Sequence, residues 1–336
     1  MKKNLFFLFG VLFLIFACPQ EQKSEPTTSS TSISTTTTST TTTTIDWSNM
    51  QKKSNNEIMI LTLNMHTYQE TNQDAKFNMI AKLINDLTID LIAFQECAQK
   101  NNTEILTGKI RTDNMAYIIT KKLKDNYALD YYYVWDWSHY GFSVYEEGVA
   151  VISKYPITSS ESRYISTNTS KNDITSRIAM MGTTNIPSIG NINFFSAHTH
   201  WMTSSTDTEH NSQVLKIKQF VTDKDTTGDV STDLSIVCGD YNCNAANILP
   251  WVTPYNTMVA NNDFIDTFLS ANPKANDKPQ QAIYDTVKGD YPGRIDYIFM
   301  KNNVKFSVVN SMIVFKPDIV GTVSDHYGVI TKLKKN

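Results

Sequence analysis

Apolar runs of strand length recur along the chain, and a polar side chain capable of chemistry stands at the end of several of them. The run at residues 58–63 leads to Asn64, and the run at 91–95 leads to Glu96. The other groups of this kind are His198 after 192–197, Asp240 after 234–239, Asp296 within 294–299, and the segment Ser324-Asp325-His326. One such ending indicates an ordinary turn. Six of them, with carboxylates, amides and histidines alternating, favour an enzyme site.

The spacing of apolar residues also predicts helices between some of these runs. Phe77, Ile80, Leu83, Ile84 and Leu87 recur at helical spacing after the first strand. Further helices are predicted at about 112–123 and around 214–221, and strands at 148–153, 178–181, 192–198, 234–237, 295–299 and 327–333. Strands outnumber helices and many loops are short. An α+β sandwich of mixed sheets with helices outside is therefore favoured over a doubly wound parallel sheet.

The N-terminus has the pattern of an export signal. Lys2 and Lys3 precede an apolar run at residues 5–17, which is too short to span a bilayer and is typical of a signal-peptide core. The run ends in Ile15-Phe16-Ala17-Cys18, which resembles the lipobox of bacterial lipoproteins. We predict a signal peptide at 1–17 and a lipid anchor on Cys18, which would hold the protein at the bacterial cell envelope. Secretion with an incidental cysteine is the alternative.

A biased segment follows. Every residue from 27 to 44 except Ile33 is Ser or Thr. Such a segment has no apolar face to bury, so we predict a disordered tether at 18–46. The remaining residues, 47–336, have the length of one catalytic domain and show no second linker.

Net charge and cysteine content place only weak limits on the function and on disulfide bonding. The formal net charge is −3, which argues against a broad basic face for nucleic acid but leaves room for a local groove. Apart from Cys18, the cysteines are Cys97, Cys238 and Cys243, an odd number in an exported protein. Two of them lie in predicted buried strands. We therefore predict core-filling thiols and no disulfide framework.

The polar strand ends form an ordered set of motifs. In chain order they are Leu63-Asn64, Gln95-Glu96, residues 147–157, His198, Gly239-Asp240-Tyr241-Asn242, Ile295-Asp296-Tyr297-Ile298 and Ser324-Asp325-His326. This set resembles that of the endonuclease/exonuclease/phosphatase superfamily, which includes DNase I, abasic-site endonucleases, bacterial sphingomyelinases and inositol-polyphosphate phosphatases. The resemblance runs from about residue 58 to residue 333. It implies a DNase I-like four-layer α/β/β/α sandwich with the site at one end.

Three of the motif residues have the chemistry of a metal site. Phosphodiester hydrolysis needs an activated water, a cation beside the phosphoryl oxygens and help for the leaving oxygen. We predict that Glu96 ligates Mg²⁺, with Mn²⁺ as a substitute, and that Asp325 joins the same ion. Asn64 is predicted beside them, either as a neutral oxygen ligand or as a positioning group.

The remaining motif residues are candidates for catalysis. Asp240 and Asn242 are two apart, so their side chains point the same way from an extended strand end. One can accept a proton from water while the other holds that water or a phosphoryl oxygen; the resemblance makes Asp240 the general base. His198 and His326 suit a phosphate site as imidazolium donors.

The resemblance also pairs each histidine with a carboxylate. It implies that Asp296 holds His326 and that Glu147 holds His198. His200 is a rival for the role of His198, which we choose because family variants with His, two residues and then Trp align that way. Arg177 is open to two interpretations, a phosphate contact or a surface arginine. Trp135 or Trp137, if exposed, would stack a base or enter a lipid interface.

Together these features predict a monomeric, exported, Mg²⁺-dependent phosphodiesterase attached to a membrane through lipidated Cys18. Extracellular nucleic acid is the first-choice substrate. A phospholipid head group, as in a sphingomyelinase or phospholipase, is the alternative, because the motifs handle the phosphate and not its substituents. A catalytically inactive surface-binding protein is a third hypothesis, and the complete motif set argues against it.

Overall fold

A computed structural model describes residues 47–227, 231–277, 283–288 and 293–336. Residues Ile45–Asn336 form a compact unit of their own. The predicted signal peptide, lipid-anchor cysteine and tether lie outside the described residues. Within the described ranges, no helix is both long and apolar enough to cross a membrane.

The secondary structure consists mostly of strands. They are β1 (Glu57–Asn64), β2 (Leu91–Lys100), β3 (Ile105–Thr107), β4 (Ile110–Arg111), β5 (Tyr132–Gly141), β6 (Tyr145–Ser153), β7 (Ile157–Tyr164), β8 (Ile178–Ile186), β9 (Gly190–His198), β10 (Leu234–Asp240), β11 (Phe264–Asp266), β12 (Asp296–Lys301), β13 (Phe306–Val314) and β14 (Gly328–Lys335). The α-helices are α1 (Gln73–Leu87), α2 (Met115–Tyr127), α3 (Glu209–Thr227), α4 (Thr253–Val259) and α5 (Thr267–Ala271).

Twelve of these strands form two six-stranded mixed sheets. The first has the order β13-β14-β1-β2-β6-β5, the second has the order β11-β12-β10-β9-β8-β7, and β3 pairs with β4 apart from both. Side chains alternate between the two faces of a strand. In β1, Met59 and Leu61 face the helices α1 and α2, whereas Ile58 and Ile60 face the second sheet. Both faces are therefore buried, which explains why this strand is almost continuously apolar.

Helices cover the outer face of each sheet. Apolar residues of α1 and α2 pack on the first sheet, and those of α3 and α4 pack on the second. The core between the sheets is a third apolar cluster. The predicted four-layer α/β/β/α sandwich is confirmed.

Strand direction brings the polar strand ends to one place. β1 runs parallel to β2, and β9 runs parallel to β10, with His198 opposite Asp240. The strands β6, β12 and β14 run antiparallel to these neighbours and therefore begin where the others finish. We call this end of the sandwich, at the carboxyl ends of β1, β2, β9 and β10, the site end.

Local chemistry shifts some boundaries from those predicted. α2 begins at Met115 rather than near 112, because the Asn114 side chain accepts hydrogen bonds from the Ala116 and Tyr117 amides. α3 is longer than predicted. Cys97, Cys238 and Cys243 are free and buried, so the prediction of core-filling thiols is confirmed.

Candidate active site

The predicted catalytic and metal-ligating residues meet at the site end. A cavity of about 380 Å³ is lined there by several of them together with His139 and Arg177. The predicted residues on its wall are Glu96, Glu147, His198, Asp240, Asn242 and His326. Asn64 and Asp296 lie directly behind this wall and hold the residues that form it.

Asn64 joins the two sheets through its amide. Its Nδ2 donates to Glu96 Oε1 at 2.9 Å and to Asp240 Oδ2 at 3.0 Å. Its Oδ1 accepts from the backbone amide of His66 at 3.0 Å. Of the two predicted roles, the geometry matches the positioning group, because the amide oxygen is engaged by backbone.

A bulge turns Glu96 towards Asn64. The pairing of β2 with β6 shifts register between Phe94 and Cys97, and Glu96 has a φ of 45°. A bulge of this kind re-aims a side chain at the rim of a sheet. It explains how the carboxylate of Glu96 comes to lie opposite that of Asp240 from the other sheet.

The two carboxylates are buried beside one another. Burial, followed by the charge of Glu147, raises the pKa of Glu96 to about 7. Burial also raises the pKa of Asp240 to about 6, although the imidazole of His326 opposes the rise. Glu96, Asp240 and His198 place possible ligand atoms within 4.8 Å of one another. Buried anionic oxygens at this spacing fit a divalent cation.

His326 is held as a cation. Its Nδ1 lies 2.9 Å from Asp296 Oδ2, and its Nε2 lies 3.7 Å from Asp240 Oδ2. Burial opposes the charge, but Asp296 and Asp240 outweigh it and raise the pKa of His326 well above its usual value. The structure therefore contains the pairing of His326 with Asp296 that the resemblance implied.

The surroundings of His198 disfavour the charged form of its imidazole. Burial, with the positive charge of Arg177, keeps the pKa of His198 well below its usual value. Its Nε2 lies 3.2 Å from the Asn242 Nδ2, which also donates to the backbone carbonyl of Thr199 at 2.9 Å. Asp240 Oδ2 lies 3.6 Å from that Nε2.

The expected pairing of Glu147 with His198 is wrong. Glu147 Oε1 lies 3.1 Å from His139 Nε2, and its Oε2 accepts from Thr67 Oγ1 at 2.7 Å. His139 and Glu147 are cross-strand partners in the hairpin of β5 and β6, which brings their side chains together. Sequence reasoning missed His139 because it stands inside an aromatic strand pattern with no motif of its own.

Asp325 also lies elsewhere than predicted. Its side chain is 42% exposed and its Oδ1 is 3.4 Å from His66 Nδ1. It forms a group with His66 and Glu70 rather than with Glu96. Asp325 lies in a bend just before His326, and its carboxylate is directed towards His66.

Arg177 and His198 line the cavity, whereas His200 does not. Arg177 is 4% exposed and its Nη1 is 3.9 Å from Glu147 Oε1, so it is not a surface arginine. His200 rests against the ring of Trp201, with ring centroids 4.0 Å apart. The geometry favours His198 over His200 as the histidine of the site.

Three apolar side chains form the mouth of the cavity. Phe142, Ile174 and Trp201 line it and are 59%, 51% and 41% exposed. We call these three residues the apolar mouth. Trp135, which was considered for such a role, is instead buried and donates to the Cys97 carbonyl. Exposure of this kind depends on loop positions that the sequence pattern does not reveal.

Comparison with known proteins agrees with this geometry. A family model described as the Endonuclease/Exonuclease/phosphatase family matches residues 61–326. The chain belongs to this family. Its members are phosphoric ester hydrolases that generally use divalent metal ions, and this member has groups of carboxylates and histidines that could bind a metal. No curated protein matches the chain.

Solved structures of the family share the fold. A family protein from Leptotrichia buccalis C-1013-b is 29% identical, with a TM-score of 0.69, covering 82% of this chain and 99% of that one. A family protein from Beutenbergia cavernae DSM 12333 is 18% identical, with a TM-score of 0.62 and coverage of 84% and 72%. The human Nocturnin catalytic domain is 14% identical, with a TM-score of 0.61 and coverage of 83% and 95%.

Proposed function

We propose that this family member is a Mg²⁺-dependent phosphodiesterase. The observation that carries the proposal is the joining of Glu96 and Asp240 by the Asn64 amide, with the cationic His326 ring 3.7 Å from Asp240. Ligands for a hard cation and a charged hydrogen-bond donor thus face one cavity.

The side chains support a direct hydrolysis. A bound divalent cation would neutralise charge on the phosphoryl oxygens. Asp240 takes a proton from water as the water oxygen bonds to phosphorus and the bond to the leaving oxygen breaks. A carboxylate with a pKa of about 6 suits a base near neutral pH. His326 and Arg177 donate hydrogen bonds to phosphoryl oxygens, and Asn242 positions the His198 ring.

The cavity mouth favours a phospholipid head group as the substrate over nucleic acid, which reverses the order expected from the sequence. Several basic side chains at the site end are held in ion pairs and are not free to follow a polyanion. These pairs are Lys76 with Glu70, Lys109 with Asp136, and Arg111 with Glu146. The apolar mouth instead suits a phosphodiester that carries apolar groups.

Nucleic acid is the second candidate. The exposed rings of Phe142 and Trp201 on the cavity wall favour it, because aromatic side chains stack on unpaired bases.

Product analysis separates the two candidates. Purified protein with Mg²⁺ is incubated with phosphatidylcholine or sphingomyelin vesicles, and separately with single-stranded DNA and RNA. We expect release of the phosphorylated head group from the vesicles. Nucleotide products alone would restore nucleic acid as the substrate, and no hydrolysis of any of these diesters would refute the proposed function.

We also propose that the enzyme is exported and anchored through Cys18. The support is the charged start, the apolar run at 5–17 and the lipobox-like residues 15–18. Several acyl chains on one cysteine would hold it stably on a membrane, whereas one chain would not. Cys18→Ser should move the protein out of the membrane fraction. Wild-type protein that carries no lipid by mass spectrometry would leave simple secretion as the explanation.

A further inference from the structure

Exposed apolar side chains are concentrated at the site end. Among the described residues, the exposed large apolar side chains in the loops and strand ends there include Phe142, Val144, Tyr164, Ile174, Trp201, Ile248, Leu249 and Trp251. Tyr132 and Val304 lie at the opposite end. Single exposed apolar residues are normal on a protein surface, but a concentration of them at one end marks an interaction surface.

These residues come from separate loops. The hairpin between β5 and β6 exposes Phe142 and Val144, and the loop between β7 and β8 exposes Ile174. The segment after β10 exposes Ile248, Leu249 and Trp251, and Leu249 is 69% exposed. We call residues 248–251 the apolar loop. Apolar side chains that project from several separate loops can insert into a broad, deformable partner surface more easily than into a single groove of a rigid partner.

The hairpin tip holds its apolar residue against local backbone preference. Phe142 and Ser143 have φ values of 49° and 63°, and the Val144 amide donates to the Gly141 carbonyl at 3.2 Å. A two-residue turn of this type prefers Asn and Gly, and a bulky aromatic in the left-handed region is strained. Phe142 is thus unfavourable in two ways, because a large apolar side chain is exposed and a bulky residue has a positive φ. Such sites are expected where function requires the side chain.

We propose that the site end docks on a zwitterionic lipid bilayer, with the hairpin tip and the apolar loop entering the interfacial layer. Attraction by charge is not the basis of this docking. The chain has a net charge of −3, and Lys109 and Arg111 at this end are in ion pairs. The apolar side chains provide the binding instead. Docking would place the phosphodiester of a lipid head group at the cavity. Binding to the bilayer does not itself depend on hydrolysis.

The length of the preceding chain permits this orientation. β1 begins at the end opposite the site, so residue 47 precedes the fold there. The segment from Cys18 to Trp47 has a maximum extent of about 100 Å. A sandwich whose central strand has eight residues is about 30 Å tall in that direction. An anchor on Cys18 therefore leaves the site end free to face the same membrane.

Quenching of tryptophan fluorescence tests the orientation. The full chain is reconstituted into phosphatidylcholine vesicles that contain brominated phosphatidylcholine, which quenches tryptophans that reach the bilayer. We expect quenching that persists in high salt and falls at least threefold in the double variant Trp201→Phe, Trp251→Phe. Both residues are exposed, so the fold should tolerate the changes.

Trp47→Phe is the control, because among the tryptophans Trp47 is nearest in sequence to Cys18 and it precedes β1, which begins at the end opposite the site. Loss of quenching in Trp47→Phe but not in the double variant would show the reverse orientation. Absence of quenching in the wild type would exclude docking, and loss in high salt would show attraction by charge. Quenching of Trp201 by a single-stranded oligonucleotide without vesicles would assign the apolar mouth to nucleic acid. Each of these results would overturn the proposal.

Hydrolysis rates provide a second test. Unlike the quenching test, it rests on the proposed function. Leu249→Ser should lower the rate on phosphatidylcholine vesicles about tenfold relative to the rate on soluble bis(p-nitrophenyl) phosphate, because one buried Leu is lost from the interface. Val304→Ser, at the opposite end and 91% exposed, should leave that ratio unchanged.

Phe142→Asn should also lower the ratio of the two rates, and Asn tolerates the left-handed turn. Equal ratios in Leu249→Ser, Phe142→Asn and wild type would contradict docking, whereas no hydrolysis of either substrate would contradict only the phosphodiesterase.

Discussion

Asp240→Asn is expected to lower turnover by about two to four orders of magnitude while leaving the fold intact. The substitution keeps the shape of the side chain but removes the carboxylate that lies 3.7 Å from His326 Nε2 and accepts from Asn64. No other carboxylate among the described residues lies between both imidazoles of the site. Initial rates on the substrate found by product analysis, with folding checked by circular dichroism, measure the effect.

His326→Ala should cause a loss of similar size, because it removes the cation that Asp296 holds. His200→Ala is the matched control, since His200 rests on Trp201 outside the cavity wall. It should be much milder than His198→Ala. The opposite order would show that the wrong histidine has been assigned to the site. Near-normal turnover in a folded Asp240→Asn variant would exclude Asp240 as the base.

Removal of divalent metal is expected to abolish activity, and Mg²⁺ or Mn²⁺ should restore it. The reason is Glu96, whose buried carboxylate would hold the ion beside the base Asp240, while the Asn64 amide positions both side chains. Glu96→Gln should raise the Mg²⁺ concentration needed for half-maximal activity as well as slow turnover. Rate measurements over a series of Mg²⁺ concentrations, after treatment with a chelator, test both statements.

Asp325→Asn provides the comparison. The sequence placed Asp325 on the same ion as Glu96, whereas the structure places it with His66 and Glu70. A smaller rise in the Mg²⁺ requirement than that of Glu96→Gln is therefore expected. An equal rise would favour the assignment from sequence, and full hydrolysis in chelator would disprove the metal requirement altogether.

The strands that carry the site could be predicted from the sequence because they are buried on both faces. β1, β2, β9 and β10 contain strong apolar runs, and parallel neighbours end on the same side of a sheet. β13 was not predicted. It lies at an edge of its sheet with exposed and half-buried positions, so its pattern is weak.

The residues of the site could be predicted more easily than the contacts between them. The partner of Glu147 depends on the register of the β5–β6 hairpin, whose turn has Phe142 and Ser143 where Asn and Gly are usual. No turn signal therefore pointed to His139. The charge of His198 depends on its depth and on Arg177, which are properties of the packed structure. The apolar mouth could not be predicted either, since Ile174 and Trp201 look like core residues until the loops are placed.

The amide of Asn64 has a consequence for substitutions far from the cavity. Asn64 ends a strand of the first sheet, and Asp240 ends a strand of the second, so one hydrogen bond of 3.0 Å crosses from sheet to sheet. Ala93 and Ile236 pack in the core between those sheets and do not line the cavity. A larger side chain at either position would push the sheets apart and separate the two carboxylates. The volume of the inter-sheet core would thus affect the affinity of the proposed site for a divalent cation, through residues that meet neither solvent nor substrate.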